Sequence, residues 1–442
     1  MPRKKDELEY KRNIFLTGSA GTGKTYKINE YVKKHPNTLL CASTGTAAIN
    51  INGTTAHRLF SIPVPAYGGD PNKLPPSKLK VFENADTVII DEISMLRNDA
   101  FAFAIKVLKR AEKLYKKKIK LIVSGDFFQL PPIVKKKEEN YLKRYGFSKT
   151  GYAFTTKEWA SMNFKIVNLT EVKRQKNKEF LEQLTLLRNG DTKVVKYFNQ
   201  FYKKNLPDDA IYICGTNAEA DKINTEYLNS INSVSVAYLA KKEGITGKDL
   251  PCDEIILLKP GLKIMFTAND QMWNDNKFNA AFIDNPLGRY QNGMFGIVKE
   301  TKPDYIVVEL EDGSEIKVKP HKWSIYNYKV DKTTKELKKK EIGSITQMPV
   351  KIAKAITIHK SQGKTFNKVI LSPQIFATGQ LYVALSRVTG PEGLYLTEEI
   401  TKEHIKTDKT VVKFFKDKDR VIKWVNYHAP KGTWLLLNGS PD

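Results

Sequence analysis

The stretch Gly18-Ser-Ala-Gly-Thr-Gly-Lys24-Thr25 constrains this chain more than any other, because it fits the phosphate-loop pattern G-x-x-x-x-G-K-[ST] at every fixed position. Such a loop needs a buried strand ahead of it and a helix behind it. The apolar run Asn13-Ile-Phe-Leu-Thr17 predicts the strand, residues 26–34 predict the helix, and the alternation predicts a parallel, doubly wound α/β sheet. Gly18, Gly21 and Gly23 let the backbone close around phosphate oxygens with N–H groups aimed inward, and Ser19, Ala20 and Thr22 complete the cradle. Lys24 would reach the β- and γ-phosphates, and the Thr25 hydroxyl would help to hold Mg²⁺. The loop by itself implies a nucleotide and no more.

Further strand tips repeat the theme. Thr38-Leu-Leu-Cys-Ala42 reads as a short strand, and Thr87-Val-Ile-Ile90 as a buried one delivering Asp91 and Glu92 at its tip. There Asp91 would hold Mg²⁺ and Glu92 would orient or deprotonate the attacking water. A third run, Lys120-Leu-Ile-Val-Ser124, ends in Gly125-Asp126-Phe-Phe-Gln129-Leu-Pro-Pro132, which would put Asp126 and Gln129 beside the γ-phosphate. Between these strands lie a Pro- and Gly-rich excursion at 61–76, longer than an ordinary connection, and a basic helix from Phe101 to Lys118.

Downstream, Phe180, Leu184 and Leu187 mark an amphipathic helix, and a second α/β unit opens with the strand Ala210–Cys214 and the helix Ala218–Asn229. Short strands from Gly293 to Val318, with the hairpin signal Asp312-Gly313, predict a small β module. Because α/β text resumes at residues 352–357, that module is an insertion. Gly363-Lys364-Thr365 imitates a phosphate loop, but Ile358 stands where the pattern needs Gly, so one nucleotide site is expected.

Composition narrows the partner. The 442 residues are 41% hydrophobic, enough for several cored domains, and carry 73 basic against 48 acidic side chains, a net +25 that attracts polyanions. Three scattered cysteines, Cys41, Cys214 and Cys252, with no C-x-x-C pair, argue against a disulfide framework and against a zinc or Fe–S site. No run approaches the ~18 apolar residues of a membrane span, and the first residues lack the apolar core of a secretion signal, so the chain is expected to be intracellular.

Taken in order, these tips resemble the motifs of superfamily 1B helicases, most closely the petite integration frequency (Pif-type) DNA helicases, over residues 13–398. Gly125-Asp126-Phe-Phe-Gln129-Leu-Pro-Pro132 is similar to that family's third motif. Residues 355–363, Ala-Ile-Thr357-Ile-His359-Lys360-Ser-Gln-Gly363, are similar to its fifth, and Gln380-Leu-Tyr382-Val-Ala-Leu-Ser386-Arg387 to its sixth. Residues 258–265 and 291–298 resemble the flanks of its inserted β module.

The resemblance implies two RecA-like doubly wound parallel-sheet domains with two insertions. The first domain would cover 1–170, with a wedge at about 58–84; the second would cover 171–270 and 350–442, with an SH3-like β module at 271–349. It implies that Arg174 and Arg387 reach the γ-phosphate from the second domain across a cleft, and that Gly363 joins the nucleotide contacts. It places Thr44, Thr46 and His57, and Thr357, His359 and Lys360, on the DNA. It implies an ATP- and Mg²⁺-dependent monomeric helicase that translocates 5′ to 3′ on single-stranded DNA and opens duplex–single-strand junctions, in a family tied to DNA replication, repair, recombination and telomere maintenance.

Two departures carry expectations. The glutamine that usually precedes the loop and reads adenine has no counterpart among residues 1–17, so GTP is expected to serve nearly as well as ATP; Ser43 stands where Pro is common, a minor change. An RNA helicase of the same superfamily and a nucleotide-gated single-strand clamp that does not unwind remain as alternatives.

Overall fold

Short apolar runs that do not alternate with polar residues make strands buried on both faces, and such strands form the middle of a parallel sheet. The computed structural model bears this out. It describes residues 7–51, 53–66, 69–203, 205–244, 250, 252–268, 270, 289, 290, 292–330 and 337–416, and its chain divides into two compact units: Met1–Leu206 with Thr365–Asp442, and Pro207–Lys364.

The first unit is built on six parallel strands: β1 (Ile14–Gly18), β2 (Thr38–Ala42), β3 (Thr54–Thr55), β4 (Thr87–Asp91), β5 (Lys120–Ser124) and β6 (Lys165–Leu169). Their order is β3-β2-β4-β5-β1-β6, so the phosphate-loop strand has β5 on one side and β6 on the other. Every residue of β1 and β4 is buried. The register pairs Ile90 with Val123 and Leu16 with Ser124, which brings the tips of β4, β5 and β1 to one edge of the sheet. Ligands of open parallel sheets bind at that carboxyl edge.

The helix Asn98–Leu114 packs Phe101, Ala104, Ile105, Leu108 and Ala111 into the core under the sheet. It begins three residues before the expected Phe101 and ends four before Lys118, where Lys116 turns left-handed with φ 51°. Phe15 is the centre of this core, with rings of Trp159 and Phe127 at 5.3 and 5.4 Å. Truncating it to Ala would cost about 3–5 kcal/mol. Residues 409–416 form a closing helix whose Phe414 stacks on Phe154 at 4.2 Å and whose Phe415 stacks on Phe128 at 5.2 Å. A parallel pair, Val369–Leu371 with Leu394–Leu396, belongs to the same unit.

The excursion after residue 60 contains short turns of helix at Pro71–Lys73, Pro76–Leu79 and Lys80–Phe82. Phe82 anchors it by stacking on Phe60 at 5.5 Å.

The second unit opens with Ile211–Cys214, the helix Asn217–Ser230, and a strand Ala355–Thr357 that runs parallel to the first. Around them the pattern is antiparallel. One sheet has the order Glu315–Val318, Tyr305–Leu310, Phe295–Lys302, Lys263–Phe266, Val350–Ile352; another joins His321–Val330, Leu337–Gln347 and Lys241–Glu243. Val298, Ile306, Val308, Phe266 and Val350 fill its core. Much of the expected insertion, 271–288 and 331–336, and Gln291 lie outside the described residues. Among the described residues no helix is long and apolar enough to cross a membrane.

Candidate active site

The phosphate loop leaves β1 through Gly18, whose φ of 150° is outside the usual range for a side-chain-bearing residue. A Cβ there would also meet the Leu169 carbonyl oxygen at 2.5 Å. Gly23, at φ 82°, caps the helix Lys24–Lys34 without a side-chain hydrogen bond, so the first N–H groups face the loop. Lys24 Nζ donates to the carbonyls of Gly18 at 2.8 Å and Ser19 at 3.0 Å. Burial lowers its pKa, while Asp126, Glu92 and Asp91 oppose that shift.

Thr25 Oγ1 donates to Asp91 Oδ2 across 3.4 Å, so one hydroxyl and one carboxylate converge beside Lys24. That donor set fits Mg²⁺, a hard cation that takes few protein oxygens and fills its shell with phosphate and water. Burial raises the Asp91 pKa against the pull of Ser124, the Glu92 N–H, Lys24 and Thr25. Glu92 is pushed up to about 7, by burial first and Asp91 second. Its backbone is left-handed, φ 52° and ψ 45°, a strained setting for a glutamate. Ser43 helps hold it, donating its hydroxyl to the Glu92 carbonyl at 2.7 Å. The Ser43 N–H also donates to the Asp91 carbonyl at 3.2 Å, so the departure from Pro is put to use.

Asp126, fully buried on the β5 tip, accepts from Arg188 Nη2 at 2.8 Å and Nε at 3.3 Å. Arg188 lies over the Phe128 ring at 4.0 Å; burial works against its charge, but Asp126 and Tyr382 prevail and its pKa is raised. Gln129 is buried next to this pair, its N–H donating to the Asp126 carbonyl at 2.9 Å.

Segments far along the chain complete the cradle. The Ala20 N–H donates to the Tyr382 hydroxyl at 2.9 Å, from the loop to a residue 362 positions away. Arg174 lies against Gly21, where a Cβ would come within 2.7 Å of the arginine's own. It donates Nε to Thr365 Oγ1 at 2.8 Å and Nη1 to the Ser386 carbonyl at 3.0 Å. Gln175 clasps the carbonyls of Ser386 and Val388, at 3.0 and 2.9 Å. Arg387 is 1% exposed and donates to Val383 O and Ser386 Oγ. Burial, then the neighbouring Arg174, brings its pKa down to about 9; burial brings that of Arg174 to about 10. The buried Arg387 and the half-buried Arg174 beside a half-buried Glu92 form a pocket short of negative charge, which suits a polyphosphate.

Residues 7–197 match the family model of the PIF1-like helicase. A protein of Campylobacter jejuni named ATP-dependent DNA helicase Pif1 is 33% identical, the alignment covering 91% of this chain and 94% of the relative. The chain belongs to the PIF1-like helicase family. Its fold is similar to Pif1 of Bacteroides sp solved in complex with ADP-AlF4, at 32% identity and a TM-score of 0.75, covering 94% of this chain and 95% of that one. It is likewise similar to Bacteroides Pif1 bound to ssDNA, at 32% identity and a TM-score of 0.69, covering 94% and 96%. The α/β architecture with parallel sheets is therefore that of the PIF1-like helicases.

The remaining sequence-expected residues fall in both units. Thr44 heads the helix Gly45–Asn50, its hydroxyl accepting from the Ala47 N–H at 3.2 Å; Thr46 lies in that helix, its side chain outside those described. His57 lies on Ala56–Leu59, its pKa lowered by burial against Asp99. In the second unit the Thr357 hydroxyl accepts from the Lys360 N–H at 3.3 Å, burial lowers the His359 pKa, and Lys360 is exposed. Gly363 is there too, with φ 78°. Both capping threonines keep their own O–H proton for an external acceptor.

Sequence reasoning missed Arg188, Gln175 and the role of Tyr382. Arg188 ends an amphipathic helix and reads as a dipole-complementing surface cation; nothing local announces Asp126, 62 positions earlier. Tyr382 reads as core within Gln380–Leu385, a helix whose six residues are all buried.

Proposed function

We propose that the protein is an ATP-dependent DNA helicase that moves 5′ to 3′ along single-stranded DNA and opens duplex DNA. The observation that carries this is a single cradle in which Lys24, Asp91, Glu92 and Gln129 meet Arg174 and Arg387, contributed by segments hundreds of residues apart. A phosphate loop that only bound nucleotide would not require arginines drawn from distant segments of the chain.

In this mechanism the loop N–H groups and Lys24 hold the β- and γ-phosphates of ATP, with Thr25 and Asp91 as the protein ligands of Mg²⁺. When bound, the cation would neutralise charge developing on the β- and γ-phosphates. Glu92 takes the proton of the attacking water, its raised pKa matching it to neutral pH. Gln129 orients that water, and Arg174 and Arg387 stabilise charge on the transferring phosphoryl, a contribution worth about 10³–10⁵ in rate for such arginines.

The attachment of Arg174 to Thr365 and Ser386 ties phosphate contact to the downstream segment. Residues 1–170 and 171–270 with 350–442 are read as the two RecA-like halves, 58–84 as the wedge and 271–349 as the β insertion. Thr44, Thr46, His57, Thr357, His359, Lys360 and backbone N–H groups position the strand through its phosphates. Gly363 is assigned to the nucleotide. Opening one base-pair step costs about 1.4 kcal/mol of stacking, a modest demand on one ATP.

The test is a duplex with a single-stranded overhang at either the 5′ or the 3′ end, incubated with ATP and Mg²⁺. The 5′ overhang should be unwound and the 3′ overhang left intact. Unwinding from the 3′ overhang alone would reverse the polarity, and none from either would remove the helicase assignment.

A further inference from the structure

The helix Asn98–Leu114 has a face that the nucleotide site does not use. Lys106, Lys109, Arg110 and Lys113 recur at three- and four-residue intervals, so they share one side, opposite the buried apolar face. Facing them is a stretch of the excursion, Gly69, Asp70, Pro71 and Asn72, and together they line a groove of about 590 Å³. This groove has a fixed wall. Arg110 Nη1 donates to the carbonyls of Pro71 and Leu74, each at 2.7 Å, which pins the excursion to the helix. Lys109 Nζ donates to Ser161 Oγ at 2.9 Å, and Lys106 lies 3.6 Å from Glu158. Lys113 has no hydrogen-bond or ion-pair partner among the described residues. Asp70 is the one acid among the lining residues, and its carboxylate accepts from the Asn72 N–H at 2.9 Å.

We propose that this groove grips the phosphate backbone of duplex DNA next to the excursion read above as the wedge; the inference rests on the helicase reading. A discrete small anion is held by buried, converging donors, whereas here Lys106, Lys109 and Lys113 are exposed and arrayed in a row. From Lys106 to Lys113 the helix rises about 10 Å, roughly the length of three base steps along one strand. Exposed lysines in such a row bind backbone without reading sequence. Three further basic residues, Lys116, Lys117 and Lys118, follow the end of the helix in the chain. None of these residues is among those assigned to the single strand, and the excursion that forms the second wall would stand where the strands part.

The test uses the full chain carrying Lys109→Gln with Lys113→Gln, and a second variant with Glu at both positions; Lys106 and Arg110 are kept because Glu158 and the excursion depend on them. Anisotropy titrations compare a blunt duplex with a single-stranded oligonucleotide across a range of salt. Duplex affinity should fall at least about fivefold for Gln and further for Glu, and the salt slope should drop by about 2. Oligonucleotide-stimulated phosphate release should stay within about twofold of the parent. Unchanged duplex affinity and slope in both variants would overturn the proposal, as would an equal loss on single strand and duplex. A parent protein whose phosphate release ignores oligonucleotide would instead remove the helicase reading, a result visible before any variant is made.

Discussion

Lys24 in the first unit and Lys351 in the second are both partly buried lysines, yet their surroundings are opposite in sign. Lys24 is ringed by Asp126, Glu92 and Asp91, which counter the burial that lowers its pKa. Lys351, on the strand Val350–Ile352, has Lys360 and Lys364 as its strongest charged neighbours, with Asp253 and Asp221 contributing less, and burial plus these cations bring it down to about 7. The first lysine faces three carboxylates that oppose, without cancelling, the effect of its burial. The second has cations as its strongest charged neighbours, a setting that an external anion would relieve. One residue type thus stands in two electrostatic settings.

The largest effect should come from the Lys24 side. Lys24→Ala is expected to lower phosphate release about a hundredfold or more while single-strand binding persists; normal turnover would remove residues 18–25 as the site. Arg387→Ala should still bind nucleotide but turn over at least about tenfold more slowly, and an unchanged rate would argue against its role on the phosphoryl group.

Arg188 sharpens the contrast, because it acts through another residue. Arg188→Ala leaves the Asp126 carboxylate buried without its cation, at a cost of about 3–5 kcal/mol to the fold. Arg188→Lys keeps the charge and loses the two-pronged geometry, so stability should largely return while kcat falls several-fold with KM for ATP little changed. Full recovery of kcat in the lysine variant would make Arg188 structural only.

The smallest effect tests the Lys351 side by pH. Since the Lys351 pKa is lowered to about 7, the side chain is charged below that pH and neutral above it. Single-strand affinity should therefore weaken a few-fold as pH rises from about 6 to 8, and Lys351→Gln should flatten that dependence. A Lys351→Gln profile identical to the parent's would break the comparison.

How much of this was legible beforehand follows from what is local. The strands ending at Gly18, Asp91 and Ser124 announce themselves by three consecutive apolar residues each, and the polar residues at their tips follow directly in the chain. Phe180, Leu184 and Leu187 were readable from their helical spacing and are all buried. The left-handed turn at Glu92 was not readable, because nothing in Asp-Glu-Ile-Ser demands positive φ. Nor were the Arg188–Asp126 and Tyr382–Ala20 pairs, which join positions 62 and 362 apart and arise only once the sheet edge is assembled. Gly379 illustrates the same limit. It reads as a helix start, yet a Cβ there would strike the Gln129 carbonyl oxygen at 2.5 Å, so its smallness serves the nucleotide-site loop.

The claim on which the rest depends is that one cradle, shared between the start and the end of the chain, couples ATP hydrolysis to a bound strand. Phosphate release should be measured with and without an unstructured single-stranded DNA oligonucleotide at saturating ATP. The account predicts at least about a tenfold increase on adding the strand, abolished by Lys24→Ala. A rate indifferent to the strand would contradict it.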